Sequence, residues 1–386
     1  MTEPSPPQQP VETAIDPALQ ICDPHHHLWD RAGARYLLDE LLADVSGVGE
    51  QFASSPQRAE TSSAPTPEAE TSSAPTPEAE ASSSPTPQGE GHRVVSTVFV
   101  ECMSEYRDVG PEALRPVGET DFVERIAVDA GRRGGAVPRV AAGIVGFADL
   151  TLGEAVDEVL EAHLAASPRF RGIRHASGWD PSPAIRNSHT APPAGLLLDR
   201  GFREGFARLE RYGLVFDAWL YHPQLADLTD LARAFPGTTI VLDHDGGPLG
   251  IGPYQGRRDE VLRDWRRTID DLAACPNVVV KLGGLAMPIN GFGWHKRALP
   301  PTSAELAAAQ APYHETCIER FGADRCMFES NFPVDRVSCS YSVLWNAFKR
   351  VASAASAEEK AALFHDTAAR VYSITVADRA ARESAG

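Results

Sequence analysis

LVFDAWLYHPQLADLTDLARAFPGTTIVLDH, residues 214–244, contains one whole structural repeat. Its two ends, 214–222 and 238–244, are short runs rich in β-formers and apolar on both faces, the pattern of strands covered on both sides. The middle, QLADLTDLARAFPG, is amphipathic and stops at Phe-Pro-Gly, as a helix should. A strand, a returning helix and a second strand running the same way form one parallel unit. The alternation extends in both directions. Upstream, candidate strands fall at 21–27 (ICDPHHH), 94–101 (VVSTVFVE), 139–147 (RVAAGIVGF) and 171–176 (RGIRHA); downstream they fall at 277–283 (NVVVKLG) and 325–332 (RCMFESNF). Helical stretches such as GEAVDEVLEAHLAA, FREGFARLERYG and PYHETCIERFG lie between them. Eight such units argue for closure into a (β/α)8 TIM barrel, a single domain over 20–375, and no G-x-G-x-x-G follows the first strand to suggest a dinucleotide fold.

At 386 residues the chain is long enough for a decorated barrel. A formal charge of −17 repels phosphate backbones and anionic lipid, so neither nucleic acid nor membrane is an expected partner. No run approaches the roughly 18 apolar residues of a membrane span. The six cysteines (22, 102, 275, 317, 326, 339) form no C-x-x-C pair, and the first twenty residues lack a basic and apolar leader; a cytoplasmic location is expected. One segment departs from globular composition. The decamer ETSSAPTPEA occurs at 60–69 and 70–79 and returns as EASSSPTPQG at 80–89. Its prolines and small polar residues offer little to bury, so 50–91 is expected to be a disordered insertion in a surface loop, acting as a spacer. Flexible tails are expected at 1–19 and 376–386. A homo-oligomer is left open.

In such a barrel the reactive groups sit at the carboxyl ends of the strands. The first strand ends in Asp23-Pro24-His25-His26-His27. Side chains alternate, so His25 and His27 point the same way with Cα atoms roughly 6.6 Å apart, close enough for two imidazoles to converge on one ion. His26 faces away and reads as packing. A lone H-x-H also occurs in solvated turns, but His175, His222 and His244 end the fourth, fifth and sixth strands and Glu101 ends the second. Histidines at a barrel mouth serve as ligands, general acids or substrate contacts.

Taken together, DPHHHLWD at 23–30, RGIRHASGWDPS at 171–182, FDAWLYHPQL at 216–225, LDHDGGPLGIGPY at 242–254, VVVKLGG at 278–284, FESNFPVD at 328–335 and HDTAARVY at 365–372 give the chain its family likeness. It resembles the amidohydrolase-related (amidohydrolase 2) group of metal-dependent hydrolases, nearest to the lactonase branch with pyrone-dicarboxylate and sugar-lactone hydrolases. The resemblance implies that His25, His27 and His244 face the metal or reaction centre, with His222 beside them. It also implies that Arg174 or His175 contacts a substrate carboxylate or carbonyl, unless Arg174 is a barrel-rim ion pair. Many relatives carry an Asp on the eighth strand, where this chain has Asn331, and an amide is no base and a poor ligand. Glu329, two residues earlier on the same strand, is expected to replace it as base and fourth ligand, with Asn331 orienting water or substrate; Asp335 and Asp245 are the other candidates.

The expected reaction is attack of water, activated by a carboxylate and a divalent metal, on a lactone or related ester. The substrate is thus a small molecule bearing a carbonyl or carboxylate. A nitrogen and carboxylate ligand set suits zinc or manganese. A metal-free lactonase, a metal-dependent decarboxylase on the same barrel and a non-catalytic binding barrel stay open beside it. In the loop 291–304, Trp294 and His295 are candidate substrate contacts, and Trp219 is either a contact or a residue closing the barrel.

Overall fold

The computed structural model describes residues 12–31, 33–47, 91–135 and 137–374. Of the insertion expected at 50–91, residues 50–90 lie outside the described residues, as do 1–11 of the expected N-terminal tail and the whole expected C-terminal tail at 376–386. Eight parallel strands follow one another round a nearly closed barrel: β1 Gln20–His26, β2 Arg93–Val100, β3 Arg139–Gly146, β4 Phe170–Arg174, β5 Val215–Ala218, β6 Ile240–Leu242, β7 Val278–Leu282 and β8 Cys326–Phe328. Each is hydrogen-bonded to its sequence neighbour. Helices fill the crossovers, among them Val117–Arg133, Val156–Ala166, Leu225–Ala234, Arg258–Ala273, Ser303–Phe321 and Tyr341–Val351.

Why the segment 214–244 folds this way can be read locally. Leu225, Leu228 and Leu231 recur on one face of Leu225–Ala234 and are fully buried in the layer between helices and sheet. Each such burial contributes about 1.5–3 kcal/mol. The helix ends at Phe235, held at φ −127°, ψ 66°, because the following proline disfavours a helical residue before it. The strands are sorted by parity in the same way: Ile240, Leu242, Val278 and Val280 face the helices, and Val241 and Val279 face the barrel interior.

The strands stop earlier than their apolar runs suggest. Strand β5 ends at Ala218, short of the expected 222, and β8 at Phe328, short of 332. Glu101, His175, His222, His244 and Glu329 therefore sit just beyond strand ends, on the turns at the mouth. At Asn331 the backbone is left-handed, φ 53°, so strand parity does not carry from Glu329 to Asn331. The seam between β8 and β1 is made differently from the other ladders. One bridge joins His26 to Phe332, Asn331 N–H donates to His25 O (2.9 Å), and the Asp23 carboxylate accepts from Ser330 N–H (3.0 Å) and Tyr341 O–H (3.0 Å).

At the other end of the barrel Tyr372, just after helix Thr367–Val371, packs inside with Cys22, Val98, Val215 and Met327. The chain preceding β1 is anchored from residue 12 onward, although 1–19 was expected to be a flexible tail. The Glu12 carboxylate accepts from Ser303 N–H (2.8 Å), and Ile15 N–H donates to Asn346 (2.8 Å).

Candidate active site

Strand parity builds the centre. Val215, Val241, Val279 and Met327 point into the barrel. The residues two further along face the same way, so Asp217, Asp243, Lys281 and Glu329 form the next layer toward the mouth, all fully buried. Arg174 from the end of β4 and Glu101 directly after β2 complete it. Four carboxylates thus enclose two fixed cations, Arg174 and Lys281, at the carboxyl ends of the strands.

Glu329 sits between two imidazoles. One of its oxygens accepts from the His244 backbone N–H (3.1 Å) and lies 2.5 Å from His244 Nδ1; the other lies 2.7 Å from His25 Nδ1. The two rings are 4.6 Å apart. The glycine pair after β7 makes this approach feasible. A Cβ on Gly283 would stand 2.5 Å from Glu329 Cγ, and one on Gly284 2.3 Å from His244 Nδ1. Lys281 Nζ lies 2.6 Å from Asp217 Oδ2, 3.1 Å from Asp243 Oδ1 and 3.3 Å from His25 Nδ1. Tyr372 O–H donates to Asp217 (2.9 Å) from inside the barrel.

Arg174 Nε donates to Glu101 Oε1 (2.7 Å), and its Nη1 approaches His25 Nε2 (3.2 Å). Obligate donors thus face both His25 ring nitrogens, Arg174 toward Nε2 and Lys281 toward Nδ1, and a neutral imidazole accepts at only one of them. Both Glu101 oxygens also contact His189 Nε2, at 2.9 and 3.0 Å. Burial, assisted by Lys281, lowers the pKa of His25 well below the usual imidazole range and keeps it neutral. Burial acts the same way on His244, but the adjoining Glu329 carboxylate outweighs it and raises that pKa. Burial would raise Glu101, yet Arg174 and His189 hold it at about 2; burial lifts Asp217 to about 6 against the pull of Lys281.

His25, His244 and Glu329 each offer a ligand atom, all within 4.8 Å of one another. Glu329 Oε2 and both Asp243 oxygens are buried and accept no hydrogen bond, and the four carboxylates outnumber the two fixed cations, a surplus of negative charge that suits a bound cation. The donor set therefore fits one ion of the zinc or manganese kind.

Beside this centre opens a cleft of about 750 Å³ whose walls include Tyr106, Phe147, Asp149, His175, His189 and Thr190. His189 is the wall residue that reaches the centre, through Glu101 and Arg174.

The other expected residues are distributed as follows. His27 is buried next to His25, ring centroids 5.0 Å apart, with Nδ1 2.8 Å from the Val100 carbonyl, and it stands outside the group of three. His26 faces Thr97 (2.9 Å) on the other side of the strand. His175 lies on the cleft wall, its Nδ1 accepting from Leu150 N–H (3.3 Å). His222 turns to Leu249 N–H and the Tyr254 ring. Trp219 meets His244 edge-on, 4.7 Å between centroids. Trp294 stacks on Phe292 under Arg297, and His295 follows it in the same short turn. Asn331 donates its amide to Asp335 (3.0 Å) and does not face Glu329 as parity predicted; Asp335, lifted by burial to about 7, also accepts from Ala286 N–H. Asp245 turns outward to Gly283 N–H and His314.

Asp217, Asp243, Lys281 and His189 were not anticipated. For the first three a signal existed: a lone charge in a run otherwise apolar on both faces, two residues after an inward-facing valine. His189 lies in 175–199, where no periodic pattern assigns a direction.

The amidohydrolase family model (Amidohydro_2) matches residues 22–374. A protein from Sinorhizobium fredii, called uncharacterized protein y4mH, is 35% identical over 268 residues, 69% of this chain and 79% of that one. L-fucono-1,5-lactonase from Burkholderia multivorans is 28% identical over 291 residues, 69% of this chain and 87% of that one. Among solved structures, a Burkholderia multivorans amidohydrolase with bound zinc superposes with a TM-score of 0.62 at 23% identity, over 92% of this chain and 100% of that one.

Proposed function

The chain belongs to the amidohydrolase family and is a hydrolase of that superfamily, and on that premise we propose that it opens lactones or closely related esters. The observation that carries this is the buried Glu329 carboxylate held between His25 and His244 at the barrel mouth. Similarity to L-fucono-1,5-lactonase supports a lactone as substrate.

Water reaching the mouth transfers a proton to Glu329, and its oxygen adds to the carbonyl carbon. The electron pair displaced onto the carbonyl oxygen meets the field of Arg174 and Lys281, two cations fixed before the reaction begins. The ring carbon–oxygen bond then breaks, and the leaving oxygen recovers the proton from Glu329. One water is consumed and one hydroxy acid forms. A divalent ion held by His25, His244 and Glu329 would acidify the water and polarise the carbonyl. Arg174 is already matched by Glu101, so it orients and stabilises charge at the centre and is poorly placed to pair with a substrate carboxylate.

A metal-free version is the second reading, favoured by the two cations standing 3.2 and 3.3 Å from the His25 ring nitrogens. The deciding experiment measures acid release from sugar lactones in a pH-stat, with and without chelator, alongside carbon dioxide trapping from carboxylated aromatics. Acid without gas is expected. Stoichiometric gas without lactone opening sinks the hydrolase and leaves a decarboxylase, and lactone opening insensitive to thorough metal removal selects the metal-free version.

A further inference from the structure

We propose that Lys281 is a built-in cation that occupies the place of a second metal and holds this centre to one ion. The inference rests on reading His25, His244 and Glu329 as a divalent-ion site. Hydrolases that use two metals keep them about 3.5–4 Å apart, bridged and flanked by carboxylates and imidazoles. Next to the three candidate ligands the chain supplies two further buried carboxylates, Asp217 from β5 and Asp243 after β6, on the side of His25 Nδ1 that the first set shares. The group found in their midst is the Lys281 ammonium, 2.6 and 3.1 Å from them and 3.3 Å from His25 Nδ1.

Two features mark the set as more than a salt bridge. Asp243 is fully buried, yet neither of its oxygens accepts a hydrogen bond; charge contacts to Lys281, Arg174 (3.6 Å) and His25 (3.8 Å) hold it. Carboxylate oxygens held by charge contacts alone keep lone pairs that a metal ion can take. Lys281 is also fully buried and stands over the Tyr372 ring at 5.4 Å, so its ammonium is shielded from solvent. Replacing it by a small neutral side chain leaves one more uncompensated negative charge and an opening between carboxylates from neighbouring strands.

The test is metal stoichiometry, read without reference to activity. Wild type and Lys281→Ala are stripped, titrated with Mn²⁺ by equilibrium dialysis and examined by electron paramagnetic resonance. Wild type saturates at one ion, and the variant binds a second at least tenfold more tightly than wild type does, with the coupled spectrum of adjacent manganese ions. Saturation of the folded variant at one ion overturns the proposal. So does a second coupled ion in wild type, a result that needs no variant to fold. Wild type that binds none, with a variant that also binds none, refutes the ion site itself; none in wild type but one in the variant makes Lys281 the substitute for the sole ion and overturns the one-ion arrangement proposed here.

Discussion

Exchanging Glu329 for glutamine isolates the proton acceptor with almost no change of volume. One carboxylate oxygen is bonded to His244, and the other lies 2.7 Å from His25 Nδ1. An amide can face only one imidazole with its oxygen. If the oxygen keeps His244, the amide nitrogen stands 2.7 Å from His25 Nδ1; Nδ1 must then accept, which leaves the ring proton on Nε2, where the Arg174 donor waits at 3.2 Å. Either orientation leaves two donors head to head. A lost charged contact of this kind costs about 1.5–3 kcal/mol of stability. Loss of general-base catalysis removes about two to four decades of rate, or about 2.7–5.5 kcal/mol of transition-state stabilisation. The assay is lactone opening followed by a pH indicator on metal-analysed Glu329→Gln protein, with kcat and KM measured separately and the fold checked by circular dichroism. A folded variant whose kcat stays within about threefold of wild type refutes the assignment. Asp243, whose oxygens accept no hydrogen bond, would then be the carboxylate to examine.

Three further expectations concern residues in and behind the centre. His189→Asn removes the cleft-facing imidazole but leaves the Glu101 and Arg174 pair; KM should rise about tenfold with kcat little changed, and a fall in kcat alone would place His189 in the chemistry instead. Tyr372→Phe strips a donor from buried Asp217, and urea denaturation should show a loss of about 1–3 kcal/mol; an unchanged midpoint removes any role for the hydroxyl. Glu119 is buried behind the mouth, accepting from Cys102 and Ser104 N–H, and burial together with the Glu101 charge raises its carboxyl from 4.5 to about 8. A raised carboxyl binds its proton more tightly in the folded state, so its contribution is complete below 4.5 and is lost as pH climbs through about 8. Thermal melts of wild type and Glu119→Gln across that window should therefore diverge, wild type weakening relative to the variant as pH rises, and parallel curves would show that Glu119 does not titrate there.

The barrel was legible because its strands are covered on both faces. Runs such as TTIVLDH and NVVVKLG announce burial on each side, and every candidate strand has its counterpart in the sheet. The mouth was less legible, and the reason is conformational. His244, Asp245 and Asn331 take left-handed backbone angles of 57°, 51° and 53°, so each side chain departs from the alternation that the apolar run defines. That turned Asn331 toward Asp335 and Asp245 toward His314, although both had been weighed as neighbours of the reaction. Lys281, Asp217 and Asp243 needed a different question, namely which layer of the interior each inward residue occupies. The apolar layer closes below them, and the one above carries only charge.

The seam between β8 and β1 places His25 on one side and Glu329 on the other, joined by a single bridge, backbone hydrogen bonds from Asn331 to His25 and from His27 to Phe332, and a few side-chain contacts, where the other strands share ladders. Such a junction is the place where a barrel opens locally before it unfolds as a whole. Amide protons of 330–332 should then exchange with deuterium ahead of those in β5 to β7. Warming would separate the base from its imidazole while the helices still held their shape, so heat inactivation would precede the calorimetric transition. An ion bound across His25 and Glu329 would act as a clasp, bringing the two temperatures together.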